Sequence, residues 1–248
     1  MGARRSPRKP NAARRLRAGP RARDIRWVVR TLYGAYGETM LTRRSPFHVL
    51  IATVLSHRTK DEVTHVASKR LFRAFPTPAA LASADPAEVA RLIKPVGFYN
   101  RKAKAVVAVA RGLEARFGGE VPADVDAMVT LPSVGRKTAN VVMVNGFRIP
   151  AVAVDTHVHR ISNRMGWVRT RTPEETEAAL RRVAPRDTWL QINDALVNHG
   201  REVCKPIGPR CSACPVLSRC ARVGVRPGRG FEPARGPRAL APKRRGRA

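Results

Sequence analysis

The chain has 248 residues, of which 43% are hydrophobic and 27% charged, so it can bury a core in one large or two small globular domains. Its formal net charge is +30. An excess of this size favours a polyanionic partner, most often nucleic acid, although a generally arginine-rich composition would also produce it. No apolar run approaches the ~20 residues that span a bilayer, and the N-terminus has no signal-peptide core, so we expect a cytoplasmic protein with no membrane partner.

Both ends of the chain are basic and rich in proline. Residues 1–23 contain nine basic and no acidic side chains, and residues 221–248 contain nine basic and one acidic. Such segments bury too little apolar surface to fold, and the prolines interrupt any amphipathic helix. We therefore predict a disordered basic arm over residues 1–23 and a disordered basic tail over residues 223–248.

Between these ends the hydrophobic pattern is helical nearly everywhere and no convincing alternating strand is present, which predicts an all-α protein. The run PFHVLIATVL, Pro46 to Leu55, is apolar almost all round and predicts a central buried helix. Asp85 and Thr172 are each followed by a proline and, three residues on, by a glutamate. This pattern of cap, first-turn proline and glutamate predicts that a helix begins after each of them.

Two further helices are predicted from capping residues and glycines. Asn100 can cap a long helix that runs to about Phe117, with Gly118 beyond its end. Asp187 can cap another helix that ends before Gly200. Both predictions depend on local preference alone, since an Asn or Asp side chain can accept from the first free N–H groups of a helix.

The segment LPSVGRKTANVV, residues 131–142, places Lys137 at the start of a predicted helix, directly after a turn. A helix N-terminus carries partial positive charge, so a cation there is mildly unfavourable unless an anion or a chemical step uses it. From these residues alone, a solvated lysine that contacts phosphate is the simpler interpretation.

All four cysteines fall within one 17-residue segment, with the spacing C-x6-C-x2-C-x5-C. Thiols crowded together in an intracellular protein indicate a metal centre rather than disulfides. Zinc sites usually show two short paired chelates and this segment has one, whereas four thiolates can equally hold an iron–sulfur cluster. The spacing leaves zinc and a cluster open. The candidate ligands are Cys204, Cys211, Cys214 and Cys220.

Taken together, these motifs resemble the helix-hairpin-helix DNA glycosylases of the endonuclease III type. That family has the same cysteine spacing around a [4Fe–4S] cluster, and LPSVGRKTANVV is similar to its hairpin with the catalytic lysine. AVAVDTHVHRISNR, residues 151–164, is similar to its segment with the catalytic aspartate. LSHRTKDEVT, GFYNRKA and NHGREVC match further family motifs in the same order. The resemblance covers about residues 24–222 and leaves both basic ends outside.

The resemblance implies a two-domain fold with DNA bound between the domains. A six-helix module that contains the hairpin would span residues 39–149, and an iron–sulfur cluster domain would combine residues 24–38 and 150–222. The implied partner is double-stranded DNA that contains damaged bases or abasic sites. We expect a monomer associated with the nucleoid.

The implied activity is bifunctional: removal of oxidised pyrimidines, then cleavage of the abasic strand by β-elimination. Lys137 would attack C1′ of the extruded nucleotide and form an imine with the opened sugar. Asp155 would assist deprotonation and stabilise positive charge on the sugar. A purely structural alternative for Asp155 is a helix N-cap.

Some DNA contacts are implied as well, and three of them depart from the family pattern. Arg58 stands where glutamine is typical and Phe98 where leucine is typical, at positions that fill the hole left by the extruded nucleotide. Ser133 replaces a hairpin glycine. The plainer alternative is a core aromatic at 98 and a surface cation at 58. The full set of implied contacts is Arg58, Phe98, Ser133, Val134, Gly135, Arg136, Thr138, Lys205 and Arg210.

Two other functions were weighed against this one. The adenine-mismatch branch of the superfamily normally lacks the lysine after the hairpin and carries an additional C-terminal domain, whereas 28 residues follow Cys220 here. A protein that has lost catalysis would bind damaged DNA and leave it uncut. Incubation with lesion-bearing and abasic duplexes separates these alternatives.

Overall fold

The computed structural model describes residues 22–38 and 44–225, and in this part of the chain every regular element is a helix, as predicted. The predicted arm and tail lie outside the described residues, except at their inner ends. Residues 22 and 23 belong to the first helix, so the predicted arm is two residues too long. At the other end, the backbone N–H of Val223 donates to the carbonyl of Arg164. No helix in the described ranges is long and apolar enough to cross a membrane.

Eleven α-helices and three short 3-10 turns make up the described structure. In chain order the α-helices are α1 (Ala22–Tyr36), α2 (Pro46–Ser56), α3 (Asp61–Ala74), α4 (Pro78–Ala82), α5 (Pro86–Leu92), α6 (Tyr99–Phe117), α7 (Val125–Met128), α8 (Arg136–Asn145), α9 (Thr156–Met165), α10 (Pro173–Val183) and α11 (Trp189–Glu202). The 3-10 turns are Arg186–Thr188, Cys211–Ala213 and Leu217–Arg219.

The described residues form two compact units. One comprises residues 38 and 44–153, and therefore α2 to α8; the other comprises residues 22–37 and 154–225, and therefore α1 and α9 to α11. In the first unit, α4 and α7 are single turns of five and four residues.

Helix α2 is the centre of the first unit, and the prediction of a buried helix there is confirmed. Leu50, Ile51 and Leu55 have no exposed surface. The helix packs against α6 and α8. Since nearly every side chain of α2 is apolar, each face of the helix can be covered by a neighbour without burying an unpaired polar group.

Two helix starts lie where capping predicted them. Asp85 Oδ1 accepts a hydrogen bond of 2.9 Å from the backbone N–H of Ala87, and Thr172 Oγ1 accepts one of 3.2 Å from that of Glu175. In both cases the first helical residue is a proline, which has no N–H to satisfy.

The prediction that Asn100 caps α6 is wrong. The helix begins one residue earlier, at Tyr99, and its N-cap position is Phe98, whose φ is 59°. The left-handed turn at Phe98 redirects the chain before Asn100 is reached, so Asn100 lies in the first turn. The predicted C-terminus is confirmed, since α6 ends at Phe117 and Gly118 has a φ of 59°.

The prediction for Asp187 is also wrong. Its carboxylate does not cap a helix: it accepts hydrogen bonds of 2.7 and 3.0 Å from Arg26 and one of 3.1 Å from Arg30, both on α1. Helix α11 starts after the 3-10 turn and continues through Gly200 to Glu202. These arginines are more than 150 residues away in sequence. A local pattern could not have predicted the contact.

The second unit is built on the packing of α1 against α11 and of α11 against α9. Val28, Val29 and Leu32 of α1 are fully buried in it. This packing joins an N-terminal helix to the C-terminal half of the chain. The unit is therefore assembled from two segments of the chain that are separated in sequence by the whole first unit.

Candidate functional site

The turn between α7 and α8 leaves the start of α8 open. Leu131 and Val134 are buried and anchor the turn, while Gly135 is the N-cap and provides no side chain to bind the first N–H groups of the helix. Free N–H groups at a helix start, together with the helix dipole, form a site for an anion such as a phosphate. The hairpin therefore has the properties expected of a phosphate contact.

Ser133, which stands where the family has a hairpin glycine, adopts the left-handed conformation, with a φ of 62°. This conformation costs a non-glycine residue about 1–2 kcal/mol. Replacing serine by glycine also increases the entropy of the unfolded chain, which costs about 0.4–1 kcal/mol. The relief of strain is the larger of the two.

We therefore expect Ser133→Gly to stabilise the protein by about 0.5 kcal/mol and to raise Tm by about 1–2 °C, as measured by calorimetry. Ser83→Gly is the control, because Ser83 has a φ of −84° and its hydroxyl binds the carbonyl of Ala79. That substitution should lower Tm. If Ser133→Gly lowers Tm as much as Ser83→Gly does, the turn is not strained at Ser133.

Lys137 is the second residue of α8 and is half-buried. It lies among other basic groups of the same unit. The pKa of His57 is lowered first by burial, then by the charge of Lys137 and then by that of Lys102. Next to Lys137, the buried Thr138 places Oγ1 3.4 Å from Nε2 of His57. The charges of Lys137 and Lys102 thus make the surroundings of His57 positive and favour its neutral form.

Asp155 is the N-cap of α9, as the structural alternative proposed. Its Oδ1 accepts hydrogen bonds of 2.8 Å from the N–H of His157 and 2.9 Å from that of Val158. The side chain is half-buried, and among the described residues Oδ2 has no hydrogen-bond partner. The cap fixes the orientation of the carboxylate and uses one oxygen. A cap and a chemical role are therefore compatible.

Arg58 and Phe98 are both exposed, and both have a left-handed backbone, with φ values of 53° and 59°. The interpretation of Phe98 as a core aromatic is wrong, since 63% of its surface is exposed. Exposing a large aromatic ring on a strained turn has no benefit for the core. This arrangement is what an aromatic group that inserts into a partner requires.

The remaining hairpin residues divide into anchors and surface groups. Val134 and Thr138 are buried, so their side chains support the turn, and the backbone N–H of Val134 closes it on the carbonyl of Leu131 at 3.3 Å. Arg136 is exposed and donates a hydrogen bond of 3.0 Å to Asp126. An exposed ion pair contributes little to stability in water. Arg136 can therefore leave Asp126 and bind a phosphate instead.

The four cysteine thiols line one cavity in the second unit, together with His199 and Arg164. They form no disulfide. Nitrogen atoms lie next to two of the sulfurs: Arg164 Nη1 donates to Sγ of Cys204 at 3.5 Å, and Nε2 of His199 lies 3.5 Å from Sγ of Cys214. Such contacts are typical of the surroundings of metal-bound thiolates.

No group of three or more His, Cys, Asp or Glu side chains in the described ranges is close enough to hold one metal ion. A single zinc ion would need its sulfurs within about 2.3 Å of one point, whereas a cubane cluster offers one iron to each thiolate and accepts thiols that lie further apart. Four thiols that line one shared cavity match the donor set of such a cluster, in which each iron takes one thiolate.

Four thiolates in one cavity would repel one another, so a positively charged group must bind there if the cysteines are to be deprotonated. Burial, together with repulsion from the other cysteines, raises the pKa of Cys214 to about 12 and that of Cys220 to about 11. Without a metal group these cysteines would therefore be neutral thiols. A bound metal group would deprotonate them, because coordination takes the thiolate form.

Lys205 and Arg210 bound an exposed loop between the first two cysteines. The loop is held from α9: Arg164 donates hydrogen bonds of 2.6 Å to the carbonyl of Lys205 and 2.8 Å to that of Pro206. Lys205 lies at the surface, while the guanidinium of Arg210 donates to the carbonyl of Glu202. Of the two cations, Lys205 is the better placed to reach an anion.

Sequence reasoning missed Lys102, which is buried with 8% of its surface exposed. Burial lowers its pKa to about 8, so the side chain still carries its proton at neutral pH. A signal was present: Lys102 lies four residues before Val106 and eleven before Leu113, on the buried face of α6. A lysine at such a position usually has a specific set of acceptors.

Comparison with known proteins places these observations in context. The model of the family described as HhH-GPD superfamily base excision DNA repair protein matches residues 51–186. The chain is 53% identical over 175 residues to Endonuclease III of Thermotoga maritima, covering 71% of this chain and 82% of that one. It is 40% identical over 183 residues to Endonuclease III homolog 1, chloroplastic, of Arabidopsis thaliana, covering 70% of this chain and 48% of that longer one.

Among solved structures, a trapped endonuclease III–DNA covalent intermediate, an estranged-adenine complex, matches with a TM-score of 0.73 at 36% identity. The match covers 80% of this chain and 95% of that one. A structure of a thermostable thymine-DNA glycosylase matches with a TM-score of 0.71 at 24% identity. The all-helical fold of the chain is thus the fold of these proteins.

Proposed function

The chain belongs to the HhH-GPD superfamily of base excision DNA repair proteins, and we propose that it acts there as a bifunctional glycosylase and AP lyase on oxidised pyrimidines. The observation that carries this proposal is the position of Lys137, half-buried at the open start of α8 and close enough to His57 to lower its pKa. DNA is the partner of the similar endonuclease III structure, which was trapped as a covalent intermediate.

In the proposed reaction, the hairpin binds a phosphate through free backbone N–H groups and thereby places the extruded sugar near Lys137. The amine of Lys137 attacks C1′, and the bond from C1′ to the base breaks, with the electron pair leaving on the base. The ring then opens to give an imine between Nζ and C1′.

The imine acidifies the hydrogen on C2′. Its removal by a base allows the 3′ phosphate to leave by β-elimination, which breaks the strand; water then hydrolyses the imine and restores Lys137. Asp155 is the second group of this mechanism. The free oxygen of its carboxylate would stabilise positive charge on the sugar and accept protons, while its other oxygen caps α9.

We expect Asp155→Asn to slow base release and strand cleavage by about a hundredfold or more while leaving the fold intact. Asparagine caps a helix about as well as aspartate does, so α9 should keep its start while the negative charge is lost. Single-turnover rates and Tm measure the two effects. A large fall in Tm with an equal fall in both rates would assign Asp155 to the cap alone.

We further propose that Cys204, Cys211, Cys214 and Cys220 hold a [4Fe–4S] cluster. The group would supply a positive centre for four thiolates and would fix the loop that carries Lys205. The cytoplasm, at the nucleoid, is where such an enzyme would meet damaged double-stranded DNA. A monomer is the proposed active state.

One incubation tests this function. The purified protein is mixed with a duplex that contains one oxidised pyrimidine, with a matched abasic duplex and with undamaged DNA, and both the released base and the cut strand are measured. Base release from the first and cleavage of the first two, with a β-elimination end, support the proposal. Base release without cleavage would indicate a monofunctional glycosylase, and tight binding without either product would indicate a binding protein.

A further inference from the structure

Lys102 connects two loops of the first unit, residues 55–59 and the turn at residues 97–98. Its ammonium group donates hydrogen bonds to the carbonyl of Leu55 at 2.7 Å, to the carbonyl of His57 at 2.5 Å and to Oγ1 of Thr59 at 2.9 Å. An ammonium has three N–H donors, so all three are used. All of its partners belong to residues 55–59, the segment in which Arg58 lies, whereas Lys102 is on α6.

The other loop of this contact is the turn before α6. Phe98 is the N-cap residue of that helix, and its carbonyl accepts from the backbone N–H of Lys102 at 3.0 Å. The same lysine therefore binds the Phe98 turn through its backbone and the Arg58 segment through its side chain.

The two loops also touch directly. A Cβ atom on Gly97 would lie 3.2 Å from the carbonyl oxygen of Arg58 and 3.7 Å from Oγ1 of Thr59. The close approach of the two backbones explains glycine at this position, next to the strained turns at Arg58 and Phe98. Strained turns persist where surrounding contacts hold them, and Lys102 supplies three such contacts.

We propose that Lys102 is the positioning residue that joins residues 55–59 and 97–98 into one preformed surface, which fills the hole in DNA left by the extruded nucleotide. The proposal rests on the proposed function, because a hole arises only if a nucleotide is taken out of the stack. Arg58 and Phe98 are the exposed groups of this surface. Lys102 itself touches no DNA: it acts through the backbones that it binds.

The test compares two DNA substrates for strand cleavage. In the first, the abasic site is within a fully paired duplex; in the second, it is within a short unpaired bubble, where no hole has to be filled. Lys102→Met keeps the apolar stem and removes the three donors. We expect its rate to fall by at least about tenfold on the paired substrate and by less than about twofold on the bubble.

Lys104→Met is the matched control, since Lys104 is on the same helix, is exposed and loses the same charge. Both of its rates should stay at the level of the unmodified protein. Thr59→Val, which is close to isosteric, removes one of the three acceptors. Its cleavage rate should also fall on the paired substrate and not on the bubble, but by a smaller factor. It decides the question if Lys102→Met fails to fold.

The outcomes are distinguishable. If the cleavage rate of Lys102→Met falls equally on both substrates, Lys102 only stabilises the fold. If neither rate changes, the two loops hold their positions without it. Either result overturns the proposal. If the unmodified protein cleaves neither substrate, the proposed function fails instead, and that failure is visible before any variant is made.

Discussion

Replacing Lys137 by glutamine should abolish strand cleavage at abasic sites, with a loss of at least about a thousandfold, while binding of lesion-bearing duplex stays largely intact. The reason is that the imine needs a primary amine, and glutamine keeps a polar side chain, one atom shorter, without one. The backbone N–H groups at the start of α8, which we assign to phosphate binding, are unaffected by the substitution.

Lys104→Gln is the control for this experiment, because it removes one exposed positive charge from the same unit. It should leave the cleavage rate unchanged and weaken binding only slightly, in a salt-dependent way. Rates are measured in single turnover and binding by titration at fixed salt. Equal losses for both variants would mean that charge, and not the amine of Lys137, supports cleavage.

The second large effect concerns the cysteines. We expect the purified protein to be brown, with four irons per chain and little zinc, because the four thiols line one cavity and a cubane cluster offers one iron to each of four thiolates. Cys214→Ser should remove most of the bound iron. Since the binding free energy of a structural metal group contributes to folding, the variant should be poorly soluble and should bind DNA weakly.

Cys211→Ser is a useful companion, since Cys211 lines the same cavity and lies at the start of a 3-10 turn. The two variants should lose iron together if one shared group is bound. Metal analysis of the unmodified protein is the direct check. Stoichiometric zinc without iron would overturn the assignment of a cluster and leave a zinc centre in its place.

Local sequence patterns succeeded at two helix caps and in one buried helix. The caps at Asp85 and Thr172 are short-range hydrogen bonds reinforced by a proline, and the burial of α2 follows from its composition. Of the two helix starts that failed, Asn100 was displaced by the neighbouring left-handed residue Phe98, and Asp187 is held by a distant group. Asp187 has its carboxylate bound by Arg26 and Arg30 of α1, and no local pattern contains that information.

The same distinction applies to the candidate site. The spacing of the cysteines predicted that they act together, and they do line one cavity. The contacts of Lys102 were not predictable from a local pattern, because they depend on how residues 55–59 approach the start of α6. Helical periodicity could only have indicated that Lys102 is on a buried face.

The most direct test of the covalent mechanism is to trap the imine and to locate it. The unmodified protein is incubated with lesion-bearing duplex and borohydride, which reduces the imine to a stable amine, and the digested complex is analysed by mass spectrometry. We expect one adduct, on Lys137. An adduct on Lys102, whose pKa is lowered to about 8, or on the N-terminal amine would contradict the account, as would the absence of any adduct while the strand is cut.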